Sequence, residues 1–130
     1  MTAFADTSFF VALLVKQDQW HSRAARLSRA NRSLVTSSLV INETISLLQA
    51  RGHFSEALVF LREIRRDEQI EILYPDAAVQ SQAWEEFNRW GGMGANAVDC
   101  VSFTLMRKHS VRKALTFDAH FRMAGFTVAP

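Results

Sequence analysis

The chain has 130 residues, 48% of them hydrophobic and 22% charged, with two Pro and five Gly; this excludes intrinsic disorder, low-complexity linkers and collagen-like repeats, and the length suits one domain. A lone Cys rules out a disulfide framework or zinc finger and points to a reducing compartment. The formal charge is +2 and the pI about 9.1, and all but Lys16, Lys108 and Lys113 of the 15 basic residues are arginine, whose planar fork matches phosphate.

The apolar run 9–15 is too short to span a bilayer and follows no basic segment, so a cytoplasmic protein without a membrane anchor is expected. Residues 3–5 read as a short buried strand that turns at Asp6 into a helix over 7–16, with Phe9, Phe10, Leu13 and Leu14 at helical spacing. Asp18 is placed to cap a second helix, 19–31, with Trp20, Ala24, Leu27 and Ala30 or neighbours facing inward. A strand over 33–37 leads into a helix capped by Ser38 and ended near Arg51 by Gly52. Ser55 opens a further helix, and residues 70–74 read as a strand bounded by Pro75.

Asp76 begins a helix through Trp90 with Val79, Ala83, Phe87 and Trp90 on one stripe. A glycine-rich loop, 91–95, precedes a helix at about 98–109, and strands are expected over 113–117 and 126–128. Strands alternating with helices and lacking hairpin signals imply βα units. The expected fold is a three-layer α/β/α arrangement around a mainly parallel sheet of four to five strands, with 1–130 as a single domain.

Such folds bind ligands outside the carboxyl ends of their strands. Asp6 and Asp118 follow predicted strands, Asp99 lies in the first turn of a helix, and Glu43 sits among Val40, Ile41 and Ile45. Singly, Asp6 and Asp118 read as helix caps, Asp99 as an acid favoured by the helix dipole, and Glu43 as a solvated flank. Jointly, four acids at one sheet rim with almost no neighbouring Lys or Arg need a cation. Oxygen donors without a His or Cys cluster favour Mg²⁺ or Mn²⁺ over zinc.

At these residues the sequence resembles the PIN-domain ribonucleases, and in particular the VapC-type toxins of toxin–antitoxin pairs. Phe4-Ala5-Asp6-Thr7-Ser8-Phe9-Phe10 resembles the family's opening strand and first metal-binding Asp, and Asn42-Glu43-Thr44 its helix-borne acid. Val98-Asp99-Cys100-Val101-Ser102-Phe103 resembles the third acidic motif, and Leu115-Thr116-Phe117-Asp118-Ala119-His120-Phe121 the final one. The glycine-rich loop before Asp99 departs from the family's pattern. The resemblance covers nearly the whole chain and implies a PIN-like fold and a Mg²⁺-dependent endoribonuclease, with Mn²⁺ able to substitute. Asp6 and Asp99 become the principal metal ligands, Glu43 and Asp118 complete the acidic pocket, and Thr7 and Thr116 orient the acids. The implied reaction is in-line attack by an activated water on an RNA phosphodiester, leaving a 5′-phosphate and a 3′-hydroxyl. An antitoxin protein and a second copy of the chain are the implied partners.

Arg23, Arg26, Arg29 and Arg32 recur every third residue, a ridge that suits RNA phosphates, an acidic antitoxin segment or solvent alone. His120, close to Asp118, is a candidate for substrate contact or proton handling. Phe9, Phe10, Phe54, Phe60 and Phe87 fit apolar stripes, so stacking on bases is not expected. Cys100 reads as a buried structural thiol. Two other readings compete. A phosphotransferase of the receiver or haloacid-dehalogenase type is disfavoured because Asp6-Thr7-Ser8 lacks a second acid and no strand-end Lys follows. A PIN-like module that binds RNA or protein without cutting is disfavoured because all four acids are present, and an RNA-processing nuclease outside any toxin pair stays open.

Overall fold

The computed structural model describes residues 2–130. Five strands, β1 (Ala3–Ala5), β2 (Leu34–Ser37), β3 (Ile70–Leu73), β4 (Lys113–Leu115) and β5 (Thr127–Val128), form one sheet in the order β3-β2-β1-β4-β5. Every neighbouring pair is parallel. The helices are α1 (Thr7–Leu14), α2 (His21–Ala30), α3 (Ser38–Ala50), α4 (Phe54–Arg66), α5 (Ala77–Trp90), α6 (Ala97–Lys108) and α7 (His120–Met123).

The strand order fixes the layers. From β1 the chain moves outward through β2 to β3, then crosses back to β4 and continues to β5 on the other side. Right-handed crossovers therefore place α1 to α4 on one face and α5 to α7 on the other. The helix contacts agree within each layer: α1 packs on α2 and α3, α3 on α4, α5 on α6, and α6 on α7, while α3 also meets α6 across the layers, where Asn96 donates to Glu43. The direction of winding reverses between β1 and β4, which opens a crevice at their carboxyl ends.

The central strands are buried on both faces, as parallel strands covered by helices must be. Phe4 is fully buried between Ala3 and Ala5 and reaches the Phe121 ring at 6.5 Å. Phe121 meets Phe103 edge to face at 5.1 Å, and Phe103 stacks on Phe126 at 5.7 Å. These rings tie β1, α6, α7 and the approach to β5 together. From Asp99 to Met106 every residue of α6 is buried, so this helix is the core of its layer rather than a solvated flank.

The elements follow the sequence pattern, with differences at their ends. The first helix stops at Leu14, and Asp18 then makes a turn, accepting from the Trp20 amide at 2.8 Å, so α2 starts at His21. Trp20 therefore precedes the helix and is exposed, contrary to the inward stripe expected for 19–31, and at the far end Asn31 is buried where its neighbour Ala30 is exposed. The fourth strand ends at Leu115 because the chain past it bends to place Thr116 and Asp118. Phe54 and Phe87, assigned to apolar stripes, are exposed. Among the described residues no helix is long and apolar enough to cross a membrane.

Truncating Phe103 removes the ring that both Phe121 and Phe126 pack on. Phe103→Ala is expected to cost about 3–5 kcal/mol, read by urea unfolding as a lower midpoint with an unchanged slope.

Candidate active site

The β1–β4 crevice is a cavity of about 340 Å³ lined by all four candidate acids, Asp6, Glu43, Asp99 and Asp118, together with Thr7, Ser8 and Asn96. Each acid arrives on a different element. Asp6 stands at the N-cap position of α1 but its carboxylate does not cap the helix. It accepts instead from Thr116 Oγ1 at 2.8 Å and Ser8 Oγ at 3.2 Å. Asp99 does serve its helix: its Oδ2 accepts from the Asn96 amide at 3.0 Å while Asn96 Oδ1 accepts from the Asp99 amide at 2.8 Å, a reciprocal capping box. Both are buried.

Glu43 Oε1 accepts from Thr7 Oγ1 at 2.5 Å, and Asn96 Nδ2 donates to its Oε2 at 3.4 Å. Asp118 Oδ1 accepts from the His120 amide at 2.8 Å, which fixes the turn after β4. The hydroxyls of Thr7 and Thr116 thus each hold one acid. Ser8 and Asn96 were missed by the sequence reading; Asn96, three residues before Asp99, carries a readable capping-box spacing, whereas Ser8 links the nearby Asp6 to Thr116 and Phe117, more than a hundred residues away.

One ligand atom each of Asp99, Asp118 and His120 lies within 4.8 Å of the others. His120 Nδ1 is 2.5 Å from Asp118 Oδ1 yet is buried without a directed hydrogen bond. Its ring is wedged against Gly94, where a Cβ would lie 2.8 Å from Nε2 and where φ is +102°, so glycine is required twice over at that position. Of the basic ridge, only Arg23 approaches this region; Arg26 is exposed, and Arg29 and Arg32 line a separate groove. The ridge is therefore not one continuous edge beside the acids.

Burial without a cation raises the carboxyl pKa values. Asp6 is pushed up to about 6, chiefly by desolvation, opposed by the Thr116 hydroxyl and reinforced by the charges of Asp118 and Glu43. Asp99 is pushed up to about 7, again first by desolvation, with Asp6, Asp118 and Glu43 adding repulsion against the helpful Asn96 amide. Among the described residues no Lys or Arg forms an ion pair with any of the four acids. A carboxyl held about two pH units high costs the ionised fold roughly 3 kcal/mol, a large share of a small domain's stability of about 5–15 kcal/mol. Oxygen donors converging without an ion-paired Lys or Arg, although Arg51 lines the same cavity, and beside an orphaned imidazole nitrogen, fit a divalent cation. Burial likewise pushes the Cys100 thiol up to about 11, so it is no nucleophile.

Comparison with known proteins identifies the family and the fold. Residues 3–126 match the family model described as PIN domain. The chain belongs to the PIN-domain family. Among its relatives is the 23S rRNA-specific endonuclease VapC20 of Mycobacterium tuberculosis, 38% identical over 125 residues that cover 95% of this chain and 94% of the relative. The crystal structure of M. tuberculosis VapC20, a sarcin–ricin-loop-cleaving toxin, superposes with a TM-score of 0.90 at 34% identity, covering 98% of this chain and 97% of that one. FitAcB from Neisseria gonorrhoeae, at 18% identity and TM-score 0.70 over 100% and 97% of the two chains, shares the fold. So does promoter-bound VapBC2 from Rickettsia felis, at 15% and 0.66 over 99% and 98%. This PIN domain is a metal-dependent endoribonuclease of the VapC toxin type.

The raised carboxyls set a pH dependence. In the unfolded chain Asp6 and Asp99 ionise near 3.8, whereas in the fold they hold their protons to about 6 and 7. Between these values the folded state binds more protons, so its stability falls as pH rises. With a chelator present, the melting temperature is expected to drop between pH 5 and pH 8. Adding Mn²⁺ at pH 8 is expected to restore it; a chelated protein most stable at pH 8 would contradict the uncompensated pocket.

Proposed function

We propose that this chain hydrolyses phosphodiester bonds of 23S rRNA, using Mg²⁺, or Mn²⁺ in its place, held by Asp6, Glu43, Asp99 and Asp118. The observation that carries the reading is the meeting of these four acids, from four separate elements, in one cavity where, among the described residues, none of them is ion-paired to a Lys or Arg, although Arg51 also lines it. The substrate class is argued from VapC20, whose likeness extends over nearly the full length of both chains.

A bound divalent cation supplies charge neutralisation on the phosphodiester and a more acidic water. The residues do the positioning. Thr116 and Ser8 hold Asp6, and both reach Asp118 or Phe117 through the backbone: Thr116 Oγ1 accepts from the Asp118 amide at 3.0 Å and Ser8 Oγ from the Phe117 amide at 2.9 Å. Asp6 and Asp118 are therefore fixed relative to each other by hydroxyls that bridge β1 and β4. Asn96 does the same between Asp99 and Glu43. His120, next to Asp118, offers an imidazole nitrogen to the cation or to the substrate.

A hairpin RNA carrying the sarcin–ricin loop should be cut in Mg²⁺, not in chelator, leaving a 5′-phosphate. Asp6→Asn and Asp99→Asn should lose roughly 100-fold or more of the rate, and Thr116→Val should weaken Mn²⁺ binding in calorimetry by about 10- to 100-fold. Metal-free melting temperatures of the Asn variants should be unchanged or higher, because one repelling charge is gone; a large fall would assign these acids a structural role.

The partner proposed is an antitoxin protein. A groove of about 560 Å³ between α1, α2 and α4 is lined by Phe10, Leu13, Leu14 and Ile64, with Arg29 and Arg32 from α2 and the loop after it facing Glu63 and Asp67 from the end of α4, which suits an apolar segment whose acidic side chains meet the arginine side. The product of the adjacent reading frame should co-purify with the chain and be lost from Arg29→Glu/Arg32→Glu, which should still cut RNA. A homodimer is the proposed assembly. The exposed Trp84 and Phe87 of α5 are the surface proposed for it.

A further inference from the structure

Trp20 is the exposed aromatic side chain that lines the acidic cavity. Its indole lies parallel to the Phe117 ring, with centroids 5.3 Å apart and an interplanar angle of 8°. The Arg23 guanidinium sits 6.0 Å from one ring and 5.9 Å from the other, at the side of the pair rather than on its outer face. Behind the rings a smaller depression of about 180 Å³ is lined by Arg23, Arg122 and Asp118. The aromatic pair thus forms the wall between the acidic cavity and a basic dent.

We propose that this wall is a nucleobase-stacking subsite: an unpaired base flanking the scissile phosphate stacks on Trp20, and Arg23 and Arg122 take the adjoining phosphates. The inference rests on RNA being the substrate and adds how it is gripped. The indole, packed on Phe117, keeps 39% of its surface exposed, and a rigid aromatic face beside cations is what single-stranded nucleic acid binds. The platform is also built into the catalytic frame. The Trp20 amide is tied to Asp18 Oδ1, the Trp20 carbonyl accepts from the Ala24 amide at 2.8 Å, and the Phe117 amide donates to the same Ser8 hydroxyl that donates to Asp6. A base seated here is held at a fixed distance from the carboxylates. Double-stranded RNA, whose bases are stacked within the helix, offers this wall nothing to bind.

The test uses oligoadenylate as the probe, bound to the Asp99→Asn protein so that no cutting occurs, with and without Trp20→Ala. Stacking predicts roughly 5- to 100-fold weaker binding on removing the indole, recovery of most of that in Trp20→Phe, and no effect of Trp20→Ala on Mn²⁺ affinity in the otherwise unaltered chain. In cleavage of the sarcin–ricin hairpin, Trp20→Ala should raise KM more than it lowers kcat. Equal oligoadenylate affinity with and without the indole would overturn the subsite, as would loss of Mn²⁺ binding in Trp20→Ala, which would make the residue structural. A duplex bound as tightly as the single strand would also overturn it. Wild-type protein that binds oligoadenylate through Trp20 but leaves the hairpin uncut would instead refute the proposed substrate, so the two readings fail separately.

Discussion

Three residue pairs, Ala3 with Lys113, Phe4 with Ala114 and Ala5 with Leu115, join β1 to β4, and the active centre depends on that register. Side chains alternate across a strand, so a slip of one residue would send Asp6 to the opposite face and carry Thr116 away from it. The pairing is secured by what lies on either side. Phe4 and Phe121 close the core beneath, and the Asp6 amide donates to the Leu115 carbonyl at 3.1 Å above. The same two strands mark the point where the winding of the sheet reverses, so the crevice that opens there receives two carboxylates from neighbouring strand ends and two more from α3 and α6.

Gathering those acids is unfavourable for the bare protein. Desolvation and mutual repulsion raise Asp6 and Asp99 toward neutrality, and hydroxyls and amides, not cations, hold the carboxylates in place. Neutral donors orient an acid without cancelling its charge, which leaves the charge for a metal to satisfy. A lysine in the same position would stabilise the apo fold and abolish the need for the ion. The acidic pocket of this endoribonuclease is thus costly for the bare fold, as expected where binding energy is coupled to folding.

Much of this was legible along the chain. Short buried strands alternating with helices and bounded by Asp, Pro and Gly specified a parallel α/β sheet, because each signal is local: periodicity, caps and breakers. The acids stood out because carboxylates among apolar residues have to be compensated. Trp20 was misread for a related reason. It falls in phase with Ala24 and Leu27, but the Asp18 turn delays the helix by two residues and leaves the indole outside, against a ring 97 positions later in the chain.

By itself, then, the sequence determined the order of the elements and the parallel architecture and singled out four acids as candidates, since these rest on residue type and near-neighbour spacing. Only the tertiary structure decided which atoms meet. It assigned Ser8 and Thr116 to Asp6, set Asn96 between Asp99 and Glu43, wedged His120 against Gly94, split the arginine ridge between two surfaces and turned a tryptophan from the core to the wall of the site. Those outcomes depend on strand register and loop path, where contacts span up to 110 residues, and no local pattern encodes a distance across that much chain.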